Sequence, residues 1–196
     1  MTAMSPTFDA SPVQRRRGRL QLLLILAVVI GPMLLASAMY HFGFWVPETR
    51  TYDGALVATG QGRDALGITA PVGAEPRWEL LVTAPDGCAE DCQQLVYLAR
   101  QINIGLAREA GRASHAIASA GPLAADYNQR LQREYPQLQR YRLDPAVYGA
   151  NPNLPNGAQL WIVDPHGNLV LRYDAKANGK AILDDLKYLL KISQIG

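Results

Sequence analysis

The sequence predicts an α/β domain with a mixed central sheet, preceded by a single N-terminal transmembrane helix. Three observations predict it. From Leu20 to Pro47 there is no Lys, Arg, Asp or Glu, and LQLLLILAVVIGPMLLASAMYHFGFW is overwhelmingly apolar. From Trp78 onward, short apolar runs alternate with amphipathic helical patterns, as parallel strands joined by crossover helices require. Near the C-terminus, LWIVDPHGNLVLRYD reads as a hairpin, which adds antiparallel strands to the same sheet.

Taken in chain order, residues 1–19 form a polar, small-residue, disordered N-terminus that ends in the basic run RRRGR. Residues 20–46 are the membrane anchor. A helix needs ~20 apolar residues to cross the hydrocarbon core, and Leu22 to Phe42 is long enough. A signal peptide has an apolar region of only ~7–15 residues followed by a small-residue cleavage site. This stretch instead runs into His41, Phe42, Phe44 and Trp45, an interfacial aromatic belt. It reads as an uncleaved anchor, with cleavage as the alternative. Arg15, Arg16, Arg17 and Arg19 precede the span, whereas Glu48 and Arg50 follow it. The positive-inside rule therefore puts the N-terminus in the cytoplasm and residues 47–196 outside. In a bacterium that is the periplasm, where disulfides persist; in a mitochondrion the equivalent is the intermembrane space.

Residues 47–77 are turn-rich and expected to be irregular, although Ala55–Thr59 has some strand character. The folded domain is expected over 78–196. WELLVTAP is a buried strand stopped by Pro85. A helix follows with Leu95, Leu98, Ala99, Ile102 and Leu106 on one face, ending near Gly111. ASHAIASAGP (113–122) is a second strand, broken by Gly121 and Pro122. The next helix has Leu123, Tyr127, Leu131 and Tyr135 spaced by four and stops at Pro136. Residues 138–143 form a short strand, and 144–157, DPAVYGANPNLPNG, a loop full of breakers. After the hairpin, GKAILDDLKYLLKIS is an amphipathic helix with Ile182, Leu183, Leu186, Leu189 and Leu190 inward. The main elements run β-α-β-α-β-β-α, the outline of the thioredoxin fold.

Charge excludes one class of partner. Beyond residue 50 there are 14 basic and 15 acidic side chains. Nucleic-acid binding would need a basic stripe, and none is visible. The basic balance of the whole chain belongs to its membrane topology. GQGRDALG (60–67) opens no helix after a strand, which argues against a phosphate loop. Trp45, Trp78 and Trp161 read as belt or core residues, and Tyr97 and Tyr188 as packing. Glu90 with Asp91 and Asp184 with Asp185 fit helix first turns and a solvated face.

The chain has two cysteines, Cys88 and Cys92, in APDGCAEDCQQL at a helix start. Residues four apart on a helix lie on one face, roughly 6 Å apart at Cα, inside the ~4.4–6.8 Å disulfide window, although the orientation of the two side chains could require an unwound first turn. The loop closed is so short that its entropic effect on the unfolded chain is small. The spacing suits reversible chemistry better than stapling, with an inert pair as the plain alternative. The helix N-terminus favours thiolate, while Asp86, Glu90 and Asp91 oppose it.

Strand, DGCAEDC, helix and then LWIVDPHGNLVLRYD together resemble the Sco proteins, membrane-anchored thioredoxin-fold factors of cytochrome c oxidase assembly. The likeness covers the anchor, the C-x-x-x-C pair and most of 78–193. It implies an inner-membrane protein with its domain in the periplasm. The implied partners are a cytochrome c oxidase subunit or its assembly factors, besides the membrane itself. Cys88 and Cys92 would be catalytic thiols or metal ligands, with Cu(I) the one candidate cofactor. The sequence departs from the pattern at the family's histidine ligand, whose place is taken by Asn156. Ala89 and Gln93 stand where prolines flank the cysteines, and no proline precedes the hairpin strand at Gln159. Of the three histidines, His41 belongs to the membrane interface, His115 reads as a satisfied sheet histidine and His166 as a turn residue. Two thiolates alone suit Cu(I). Three readings follow: a thiol–disulfide protein with Cys88 attacking and Cys92 resolving, a Cu(I) carrier, and a scaffold whose chemistry is degenerate. The loop 140–157 would rim the site by analogy.

Overall fold

The apolar N-terminal stretch is helix α1, Pro12–Phe42, in a computed structural model that describes residues 12–42, 52–69 and 76–193. The chain divides into two units, Met1–Arg50 and Thr51–Gly196. Phe44, Trp45, Glu48 and Arg50, which entered the topology argument, lie outside the described residues, as do residues 1–11 and parts of the 47–77 lead-in. Within α1, the 21 residues Arg19–Met39 have a mean hydropathy of 2.6 and are long and apolar enough to cross a membrane. The helix is apolar all round, and almost all its described side chains are exposed. It starts ahead of the expected boundary: residues 12–19, expected to be disordered, are helical. Pro12 suits the first helical position, where its missing N–H is no loss.

In the second unit, the described strands form one six-stranded sheet in the order β1-β6-β5-β2-β3-β4. These are β1 (Ala55–Leu56), β2 (Trp78–Ala84), β3 (Ala113–Ser119), β4 (Gln139–Arg142), β5 (Gln159–Val163) and β6 (Leu169–Tyr173). All seven residues of β2 are buried. It pairs in parallel with β3 from Trp78↔Ala113 to Ala84↔Ser119, and antiparallel with β5 from Glu79↔Val163 to Thr83↔Gln159. At one edge β4 presents Gln139, Arg140 and Arg142 to solvent, polar protection for an otherwise open strand.

Parallel neighbours need crossovers, and right-handed crossovers advancing in one direction put both helices on one face. Accordingly α2 (Glu90–Gly105) and α3 (Ala125–Glu134) share a core with α5 (Gly179–Ile192), built around Leu80, Val82, Leu95, Ala99, Leu131, Leu160 and Leu186. The opposite face is covered differently. The stretch read as a pure loop contains α4 (Pro145–Ala150), whose N-cap Asp144 accepts the Ala146 N–H at 2.9 Å. Tyr148 of α4, Leu143, Leu66 and Ile68 pack there on Leu81, Ala116, Trp161 and Val163. The result is the thioredoxin-like arrangement, with β4 as an added edge strand.

Two boundaries moved for local reasons. Helix α2 ends at Gly105, and Ala107 at φ 51° opens a 3-10 turn, Ala107–Arg112. Asn103 holds that turn against β3, its side-chain amide donating to Ala113 O at 2.9 Å. Within the lead-in, residues 52–69 run through turns, β1 and a 3-10 turn, and two buried carboxylates hold them. Arg63, in a 3-10 turn Arg63–Leu66, donates through Nε and Nη2 to Glu79 Oε2 at 3.0 and 2.9 Å. Glu79 is 2% exposed and also accepts from the Tyr141 hydroxyl at 2.8 Å. At the other end, Asp185 Oδ2 accepts from Asp53 N (2.9 Å), Gly54 N (3.1 Å) and the Tyr173 hydroxyl (2.7 Å). Asp185 is therefore buried and not on the solvated face expected for it. Burial and the adjacent Asp185 carboxylate push the Tyr173 hydroxyl pKa well up. A Cβ at Gly54 would lie 2.6 Å from the Tyr173 ring, so only glycine lets the backbone approach this closely.

His115 corrects the satisfied-histidine expectation. It is 4% exposed, and its Nε2 has no hydrogen-bond partner. Burial first, and then the Arg100 charge, lower its pKa.

Two predictions follow from these buried groups. Arg63→Met leaves Glu79 buried and uncompensated and is expected to cost about 3 kcal/mol, whereas Arg63→Met with Glu79→Gln costs less than the sum of the single changes. Urea unfolding of the full chain in detergent measures both. For His115, the unfolded chain binds the proton more readily than the folded one, so stability falls as pH drops below about 6.5. His115→Gln is expected to flatten that loss, seen as a smaller drop in urea midpoint between neutral and mildly acidic buffer.

Candidate functional site

Both cysteines sit where β2 hands over to α2. Strand β2 ends at Ala84, whose carbonyl accepts from Gly87 N at 3.4 Å and from Ala120 N at 3.2 Å, tying the turn to the end of β3. Gly87 has φ +95°, a left-handed conformation that disfavours any residue with a Cβ. The chain then places Cys88 before the N-cap Ala89 and Cys92 in the first turn of α2. The two are joined in a disulfide with a Cα separation of 5.0 Å. Because Cys88 stands outside the helix, no helical turn has to distort to close it.

The sulfurs have unequal surroundings. Cys92 is 1% exposed and belongs to the core beneath α2, whereas Cys88 is half-buried. Ala89 offers no side-chain cap, so first-turn N–H groups of α2 remain without a side-chain acceptor beside the pair. Those N–H groups favour negative charge on sulfur. Asp86, Glu90 and Asp91 are exposed around the same turn and oppose it through water.

The antiparallel pairing of Thr83 with Gln159 brings the start of β5 to this end of the sheet. Residues 155–158 therefore enter the sheet beside the end of β2. Tyr148 holds that approach by donating its hydroxyl to Pro155 O at 3.1 Å, and burial raises its pKa. Trp161 Nε1 donates to Thr83 Oγ1 at 2.9 Å, fixing the indole under the strand end. Asn156 is exposed on this approach. Tyr148 and Thr83 were not singled out from the sequence. Their signal was the Asp-Pro helix start and the Thr near the end of an apolar strand.

The histidines go elsewhere. His115 pairs with Leu80, four residues before Ala84, or roughly 13 Å back along the strand. His166 lies exposed in the β5–β6 turn, beside the Glu79↔Val163 end of the ladder, opposite the cysteines. His41 is in the other unit. Among the described residues, no group of three or more His, Cys, Asp or Glu side chains is arranged to hold a metal. The donor set at the site is two sulfurs, which can bind a metal only after reduction. Arg63 of the glycine-rich stretch is turned into the Glu79 pair.

Comparison with known proteins places these features. Residues 78–193 match the family described as transmembrane-like, thioredoxin-like, C-terminal domain, and residues 12–43 match the transmembrane-like N-terminal domain. No curated protein matches the sequence. Among solved structures, the domain is similar to apo Sco1 from Thermus thermophilus, with 15% identity, a TM-score of 0.48, and coverage of 72% of this chain and 99% of that one. It is also similar to copper-bound ScoI of Arabidopsis thaliana, with 10% identity, a TM-score of 0.46, and coverage of 61% and 87%. A thiol:disulfide interchange protein from a Bacteroides species gives 12% identity, a TM-score of 0.43, and coverage of 72% and 91%. With both of its segments matched, the chain belongs to the transmembrane-like, thioredoxin-like family.

Proposed function

We propose that this protein is a membrane-tethered thiol–disulfide reductant that helps mature a copper site, with cytochrome c oxidase or its assembly factors as partner. The observation that carries the reading is the asymmetric pair, a half-buried Cys88 ahead of α2 joined to a buried Cys92 inside it. An attacking thiol has to be reached by a partner, and a resolving thiol has to be held next to it. The topology proposed with it puts the domain on the periplasmic face of the inner membrane, supported by the arginines that precede the span. The partner class rests on the motif resemblance to Sco proteins.

In the reduced protein, Cys88 as thiolate attacks one sulfur of a partner disulfide. The partner S–S bond breaks, its departing thiolate takes up a proton, and a mixed disulfide forms. Cys92 then loses its proton and attacks the Cys88 sulfur. The Cys88–Cys92 bond forms as the mixed disulfide breaks, and the second partner thiolate leaves. Two electrons have moved from the pair to the partner. The oxidised pair is returned to the dithiol form by an external dithiol reductant. Cys92 is held beside Cys88, with Cα atoms 5.0 Å apart, so its attack on the mixed disulfide is intramolecular and outruns that of outside thiols.

A second reading is favoured by the donor set. Reduced Cys88 and Cys92 can hold Cu(I) between two thiolates, since soft ligands select that ion. The absence of a histidine beside them among the described residues argues against a three-ligand Cu(II) site.

The reduction potential separates these ideas from an inert bond. A value of about −270 to −180 mV is expected for a pair poised to exchange, and one below about −300 mV would leave only the scaffold reading. Cys92→Ser is expected to accumulate a mixed disulfide with an oxidised partner peptide, and Cys88→Ser is not. Equal trapping by both variants would remove the assigned roles. A stoichiometric Cu(I) complex that withstands a strong competitor would promote the carrier.

A further inference from the structure

On the α4 face of the sheet, one row of paired residues runs Ala116, Leu81, Trp161, Arg172, Ala55 across β3, β2, β5, β6 and β1. Ala116, Leu81 and Trp161 are core. Arg172 is the cation in this apolar row, and it is half-buried. Its guanidinium carbon lies 6.0 Å from the centre of the Trp161 ring, at the outer limit of a cation–π contact. Among the described residues it makes no side-chain hydrogen bond or ion pair. Arg63, by contrast, is satisfied by Glu79, Arg112 by Glu109 and Arg140 by Asn128.

The guanidinium nitrogens of Arg172 are not among the buried unpartnered atoms, so an anion arriving from solvent can reach them. None of the residues lining the space beside Arg172 is acidic. That space is a cavity of about 330 Å³ at the β1 end of the row, lined by Leu56, Val57, Asn153, Leu154, Trp161 and Arg172. Three of those side chains are aliphatic, and Leu56 is 70% exposed at the rim. The volume is at the small end of ligand pockets, which run ~300–1,000 Å³. It suits a group the size of one residue.

We propose that this cavity binds a carboxylate carried on a small aliphatic body. Arg172 takes the carboxylate through paired N–H donors, the geometry for which a guanidinium is better suited than an ammonium. Leu56, Val57 and Leu154 take the aliphatic part, and Asn153 supplies a polar edge. The site uses neither cysteine, so it stands whether or not the pair is redox-active. The same chemistry has two sources, a free aliphatic carboxylate and the C-terminal residue of a polypeptide.

Isothermal titration of the full chain in neutral detergent tests it. N-acetyl-leucine is expected to bind, and N-acetyl-leucinamide and acetate to bind at least about tenfold more weakly. A short peptide ending in leucine with a free carboxylate, if it binds more tightly than N-acetyl-leucine, assigns the site to a polypeptide terminus. If only N-acetyl-leucine binds, the site belongs to free carboxylates. Arg172→Gln is expected to abolish binding, Arg172→Lys to weaken it, and Arg142→Gln on the far edge to leave it unchanged. Leu154→Asp, which supplies a carboxylate from the wall and leaves Arg172 in place, should also abolish it, and it keeps the test valid if Arg172→Gln does not fold. Equal binding of acid and amide, undiminished binding by Arg172→Gln, or no heat from either acid at millimolar concentration would overturn the proposal.

Discussion

The parallel pairing of β2 with β3 is the constraint on which the rest of the structure depends. Two parallel neighbours cannot be joined by a turn, so the chain leaving Ala84 has to cross the sheet and come back. The crossover is α2, and it has to begin where β2 ends. The cysteines occupy that beginning. Their place at a helix N-terminus follows from strand direction as much as from their own spacing. Antiparallel β5 then brings residues 155–158 to the same end. One backbone decision thus assembles both sides of the candidate site.

Buried carboxylates do for the lead-in what apolar contacts do for the core. Residues 52–69 contain few large apolar side chains, and only Leu66 and Ile68 reach full burial. What orders the segment is Arg63 on Glu79 and the backbone of Asp53 and Gly54 on Asp185. A buried ion pair contributes little net stability compared with apolar packing, but a broken one is costly. Such pairs specify one arrangement among several, here the one that adds β1 to the sheet and lays the 3-10 turn over the α4 face.

The electrostatics of the site are balanced between opposing short-range effects. Uncapped N–H groups of α2 favour a thiolate, and three exposed acids disfavour it through a screening solvent. Meanwhile the two histidines of the domain sit at the far end of the sheet. Among the described residues the site therefore offers two sulfurs and no histidine beside them.

The anchor, the strand and helix order, the hairpin and the cysteine motif were all legible in the sequence. Each is set by local periodicity or by chemistry within a few residues, and apolar patterning acts at that range. Tertiary structure alone decided the rest. Nothing near Glu79 or Asp185 in sequence announces that Arg63, Tyr141, Tyr173 or the Gly54 backbone will meet them, because those contacts span up to 131 residues. The same holds for His115, which reads as an ordinary strand residue and is buried with its Nε2 unpartnered, and for Arg172, which reads as the polar step of an alternating strand. A side chain's burial and partners depend on which segments the folded chain brings against it. Pattern along one strand determines only which way it points.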